Sequence, residues 1–228
     1  MEDSNCWTLI DELEKPHLNL EDNDICFYYL VRTVGGYLAS KANSRIENFK
    51  KSPEKYRDNP SVWKYKIEAI KEFADDVCDL LRRNDFQAVL NSYRNAVIVP
   101  IPSSKPKTHE FYDSRLCDMC TQIESSINGI IFKDVFDVSE EITPAHYGGP
   151  RNVSYLKNKI VFADLGKEPP EIVFLVDDVI TTGNHFIACR DIIREHYPSI
   201  LVIGIFLAIH RCGGTSYHVI NSNVDSMH

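Results

Sequence analysis

The stretch from Ile172 to Asn184, IVFLVDDVITTGN, restricts the fold more than any other part of this 228-residue chain. It opens with a continuous apolar run. A strand with no polar alternation must be buried on both faces, which is the habit of parallel sheets covered by helices. Asp177 and Asp178 follow, then Val179 and Ile180, then Thr181-Thr182-Gly183, and then an amphipathic helical pattern over 184–197. Open α/β sheets bind ligands at the carboxyl ends of their strands. The two carboxylates stand at such an end, where they can accept hydrogen bonds from vicinal hydroxyls. Two threonine hydroxyls and a glycine-permitted tight turn come next. The following helix aims its N-terminal N–H groups and positive dipole end at the same point, an arrangement suited to phosphate. Adjacent aspartates repel one another, and a ligand or metal relieves that repulsion. The complementary ligand is a sugar phosphate.

The rest of the chain changes character near residue 95. Before it, residues 23–41 and 61–90 carry apolar residues at three- and four-residue steps, predicting helices. Ser61 is the expected N-cap of the second. The polar segment 48–60, with two prolines, reads as a loop. After residue 95 come a short strand (96–101), a helix (112–127), a strand (130–138), a long polar segment (144–158), the 171–176 strand, the 184–197 helix and a last strand (200–209). Strands separated by helices predict a Rossmann-like parallel α/β sheet with a helical N-terminal extension. The expected division is a helical region over 1–95, a hood or partner-binding module; a core over 96–212; and a polar tail over 213–228.

IVFLVDDVITTG closely resembles the PRPP-binding motif of type I phosphoribosyltransferases. The resemblance covers roughly residues 96–211. It implies the fold of that family and transfer of phosphoribosyl from PRPP to a nitrogen acceptor, with Mg²⁺ and release of diphosphate. By resemblance Asp177 and Asp178 hold the ribose hydroxyls and help to hold Mg²⁺. Val179, Ile180, Thr181, Thr182, Gly183 and Asn184 hold the 5-phosphate. The segment VIVPIPSSK, 97–105, is similar to the strand and loop that grip diphosphate in the ComF-like branch. This points to Ser103, Ser104 and Lys105. The arginine expected after that loop is missing. His109, Lys105 or Lys107 would have to substitute. The 144–158 segment is similar to the mobile loop that closes over PRPP, with Gly148, Gly149 and Pro150 as hinge and Arg151 or Lys157 reaching the diphosphate. Some members of the fold bind PRPP or nucleotides without catalysis, and that alternative stays open. Such proteins are commonly dimers.

Composition removes other classes. Lys and Arg number 25 against 33 Asp and Glu, a net charge of −8, which disfavours a nucleic-acid coat. The most apolar stretch, 200–209, is half a membrane span. The N-terminus is acidic and lacks the basic region of a signal peptide. Seven scattered cysteines do not form a disulfide framework, so a cytoplasmic protein with reduced thiols is expected. Cys117-x-x-Cys120 lacks the second pair a structural zinc needs. No GxxxxGK[ST] and no G-x-S-x-G occurs. His210 and Arg211 end the last strand, where a hydrogen-bonded structural histidine is the expectation. The acceptor is not legible.

Overall fold

The computed structural model describes residues 6–142 and 152–211. In chain order the elements are β1 (Thr8–Leu9), a 3-10 turn (Lys15–Leu18), β2 (Ile25–Thr33), α1 (Lys41–Phe49), α2 (Pro53–Tyr56), α3 (Pro60–Arg82) and α4 (Asn84–Ser92). Next come β3 (Ala96–Pro100), α5 (Arg115–Ser126), β4 (Ile130–Phe132), β5 (Phe136–Val138), α6 (Val153–Lys159), β6 (Ile160–Phe162), β7 (Ile172–Ile180), α7 (Asn184–His196) and β8 (Leu201–Arg211). Six strands form one sheet in the order β1-β2-β8-β7-β3-β4, while β5 and β6 make a separate antiparallel pair. All neighbours in the large sheet are parallel except β1 against β2. The chain is therefore α/β with a mostly parallel sheet. No helix among the described residues is long and apolar enough to cross a membrane.

The apolar runs behave as buried strands should. Alternate residues of β3 and β7 enter two different cores. Val97, Val99, Val173 and Leu175 pack with Phe186, Ile193 and Leu156 from α7 and α6. Ile98, Phe174 and Val176 pack with Phe49, Phe73, Val77 and Met119 from α1, α3 and α5. At about 25 cal/mol per Å² of apolar surface, this double coverage is the main stabilising term. Gly204 lies where β8 meets two neighbours closely. A Cβ there would stand 2.7 Å from Cys26 Sγ and 3.0 Å from the Phe186 ring.

Several expectations need correction. Residues 23–41 do not form a helix: 25–33 is β2, parallel to β8 from Ile25 opposite Ile203 to Thr33 opposite Arg211. The run ICFYYLV is rich in aromatic and β-branched residues, and a near-continuous apolar stretch satisfies both periods. Gly35 and Gly36 then end any regular element. The sheet thus recruits a strand from before residue 95. The single strand expected over 130–138 is two short strands, β4 and β5, in different sheets. The 61–90 helix breaks at Arg83, whose extended backbone separates α3 from α4. Its N-cap is Asn59 rather than Ser61, because Pro60 takes the first helical position. The 48–60 loop contains α2, and 153–158 lies in α6.

Arg190 ties the N-terminal segment to α7. Its side chain is 2% exposed; it pairs with Asp24, whose side chain is fully buried, and with Glu21 (3.1 Å) and Asp191 (2.7 Å). Arg190→Met leaves the buried Asp24 charge only the more distant Arg194, at 3.8 Å, and should cost about 3 kcal/mol in urea unfolding. Asp24→Leu combined with Arg190→Met should cost less than the sum of the single changes, because no orphaned charge remains.

Candidate functional site

A cleft of about 410 Å³ opens at the carboxyl ends of β3 and β7. The connection from β3 runs through α5 to β4 on one side, and that from β7 through α7 to β8 on the other. This is the point where strand order reverses, the position at which open α/β sheets bind ligands. The walls include Ser103 and Ser104 after β3, the whole segment from Asp177 to His185, and apolar Ile142, Leu156, Phe186 and Phe206. Three cations complete it: Arg32, Lys50 and Arg115.

β7 stays extended through the aspartates, so they face opposite sides of the sheet. Asp178 turns toward the helical layer and is 4% exposed. Lys50 Nζ donates to its Oδ1 at 3.1 Å, and Arg115 donates to its Oδ2 through Nε at 3.2 Å and through Nη2. Arg115 Nη1 also reaches Asp113 at 2.6 Å, and Lys66 Nζ meets the same carboxylate at 2.8 Å. Lys66 is buried and donates as well to the carbonyls of Phe49 and Lys51. The result is a continuous chain Lys50–Asp178–Arg115–Asp113–Lys66. Burial opposes ionisation of Asp178, yet the Lys50 and Arg115 charges hold its carboxyl well below the usual carboxylate range. Burial pushes the Lys66 ammonium down to about 8, against the attraction of Asp113.

Among the described residues, no cation pairs with Asp177. It is half-buried, and its Oδ1 accepts the Asp178 N–H at 2.7 Å. Burial and the neighbouring Asp178 charge push its carboxyl up to about 7. It is the carboxylate of the pair that faces the cleft without a cation partner among the described residues.

The turn after β7 depends on glycine. Gly183 has φ +70°, and its carbonyl accepts the Ile187 N–H at 2.9 Å as α7 begins. A Cβ on it would lie 2.1 Å from the Leu18 carbonyl oxygen. Thr181 is exposed, while Thr182 and Asn184 are half-buried at the cleft wall.

The structure brings together Asp177, Asp178, Val179, Ile180, Thr181, Thr182, Gly183, Asn184, Ser103 and Ser104. It does not bring Lys105 or His109 to the cleft wall. Lys105 pairs with Glu141 at 3.1 Å, Lys107 with Asp134 at 2.8 Å, and the His109 ring accepts the Phe111 N–H. Lys157 lies on α6 and pairs with Glu195. Arg151 and the expected hinge Gly148, Gly149 and Pro150 lie outside the described residues. His210 stands opposite Arg32 in the β2–β8 register.

Sequence reading missed Arg32, Lys50 and Arg115. One signal was available for Arg115. It occupies the first position of α5, where a cation is disfavoured by the positive end of the helix dipole. A charge kept in such a place has a tertiary reason, here Asp178 and Asp113.

No protein-family model matches the chain, and no curated protein sequence matches it.

Asp177→Asn tests the electrostatics. A carboxyl whose pKa rises on folding stabilises the fold only below its ordinary value of 3.8; that contribution is lost as pH rises to about 7. The variant should therefore be more stable than the parent at pH 8, by roughly 1 kcal/mol or more in urea unfolding, with little difference near pH 4. Asp178→Asn should do the reverse, losing stability at pH 8 because Lys50 and Arg115 lose their counter-charge.

Proposed function

We propose that the chain is a phosphoribosyltransferase, binding PRPP in the β3–β7 cleft and passing its phosphoribosyl group to a nitrogen acceptor. The observation that carries this reading is the meeting of an accessible carboxylate, Asp177, with the Thr181–Asn184 turn at the start of α7. A ribose 5-phosphate needs those two things side by side. Its phosphate takes backbone N–H groups at a helix start and threonine hydroxyls. Its diol donates to a carboxylate. A cavity of about 410 Å³ is in the range of small-ligand sites. The resemblance of IVFLVDDVITTG to the PRPP motif supports the same ligand and the type I fold.

In the proposed reaction the C1–O bond to diphosphate breaks, a C1–N bond forms, and diphosphate departs with the electron pair. Positive charge spreads over the ribose ring while negative charge grows on the leaving oxygen. Binding the 5-phosphate at the α7 turn spends energy remote from C1 on orienting the reacting bond. Asp177 holds the diol. Ser103 and Ser104, after β3, offer hydroxyls and N–H groups to the diphosphate.

The donor set fits a Mg²⁺ ion carried on the diphosphate rather than a resident one. Both Asp178 oxygens are engaged by Lys50 and Arg115, and among the described residues no three His, Cys, Asp or Glu side chains converge on one point. Asp177 would hold the ion's water shell. Bound there, Mg²⁺ would neutralise charge on the leaving diphosphate.

One observation favours a second reading, a protein that binds PRPP or a nucleotide without turnover. Arg115 and Lys50 are committed to Asp178, so neither is free in this arrangement to stabilise a leaving group.

Calorimetric titration separates these outcomes. PRPP with Mg²⁺ and ribose 5-phosphate should both bind the full chain. Thr182→Val should weaken both at least about tenfold, roughly 1.4 kcal/mol, without lowering the melting temperature. Failure of the parent protein to bind either compound refutes the proposal. Diphosphate release in the presence of nucleobases identifies the transferase; binding without release identifies the second reading.

A further inference from the structure

We infer that Asn19 is a positioning residue for the phosphate turn. The N-terminal 3-10 turn would then act as a fixed brace that sets the Thr182–Gly183 peptide for an anion. The inference rests on the proposed sugar-phosphate site and concerns a residue far from it in sequence.

Four observations meet here. Asn19 has a left-handed backbone, φ +52°, and an exposed side chain. Its Nδ2 donates to the Thr182 carbonyl at 3.0 Å and to Asn184 Oδ1 at 3.3 Å. The preceding carbonyl, that of Leu18, fills the space where a side chain on Gly183 would be. The turn carrying both residues is itself immobilised. Leu18 and Leu20 are buried in the core that also holds Phe186, and the Leu20 N–H bonds to the Lys15 carbonyl at 3.0 Å. Lys15 Nζ reaches the Asp22 carbonyl, and Arg190 grips Asp24 and Glu21.

The consequence follows from peptide geometry. The chain has no cis peptide among the described residues, so the Thr182 C=O and the Gly183 N–H point in opposite directions. Tying the carbonyl to Asn19 fixes the N–H away from Asn19. A freed carbonyl at this turn could rotate toward the cleft and repel a phosphate. Asn19 therefore acts through Thr182 and Asn184 and does not itself border the cleft. Gly183 is required twice over, by its φ and by the brace seated against it.

Asn19→Gly keeps the left-handed backbone at no steric cost and removes the amide, with a small added entropy in the unfolded chain. The test compares it with the parent in the full chain by ¹⁵N relaxation of the Gly183 and Asn184 amides, by titration with ribose 5-phosphate, and by thermal melting. The expected result is greater motion at Gly183 and Asn184, an affinity about tenfold weaker, and a melting temperature lowered by no more than a few degrees. Unchanged relaxation at those amides overturns the inference, whatever the affinity does. Unchanged affinity with a loosened turn also overturns it, since the brace would then have no bearing on the ligand. If the parent itself binds no ribose 5-phosphate, the site reading fails and this inference fails with it as a functional claim. The relaxation data still report separately whether Asn19 holds the turn.

Discussion

Two neighbouring carboxylates at the end of a buried strand are an electrostatic burden, and the site is arranged around it. Because β7 stays extended through them, the aspartates part to opposite faces. Asp178 is neutralised within the helical layer by Lys50 and by Arg115, and Arg115 is itself tied through Asp113 to Lys66. Asp177 keeps its place at the cleft and carries the repulsion, with a carboxyl pushed up by burial and by its neighbour. Buried ion chains of this kind are weak evidence for stability, since apolar replacements often do as well. Here the chain of ions keeps Lys50 and Arg115 at the cleft wall.

The two faces of the sheet serve the cleft differently. From one face, Lys50 just after α1 and Arg115 at the start of α5 supply charge. From the other, α7 supplies its N-terminal end, and the 15–20 segment props the turn that leads into it. That segment reaches α7 through Leu18 and Leu20, and the residues just after it do so through Glu21 and Asp24 on Arg190. The region before residue 95 is therefore joined to the candidate site from both sides, and β2 completes the sheet beside β8.

Much of the central architecture was legible in the sequence because short apolar runs bounded by turn residues and alternating with helical patterns mark strands buried on both faces. The runs at 96–101, 171–176 and 200–209 could be little else than covered strands, and the amphipathic pattern at 184–197 is α7. The strand–turn–helix grouping of 177–184 was visible for the same reason: strand, glycine turn and helix are contiguous. What was hidden depended on contacts distant in sequence. β2 was read as a helix because ICFYYLV fits either period, and only its pairing with β8 decides between them. Arg32, Lys50 and Arg115 come from β2, the residue after α1, and α5, and no local pattern brings them to one cleft. Arg115 alone left a trace, a cation at the wrong end of a helix. Lys105 and His109 were drawn in by their nearness to Ser103 and Ser104 along the chain. They bond instead to Glu141 and to the Phe111 backbone.

The most direct test of the account is a crystal structure grown with PRPP and Mg²⁺. The expected density places the 5-phosphate within hydrogen-bond distance of the backbone N–H groups of 181–184 and the ribose hydroxyls on Asp177, with Asp178 still held by Lys50 and Arg115. A ligand bound elsewhere on the sheet, or a cleft that stays empty at saturating PRPP, would contradict it.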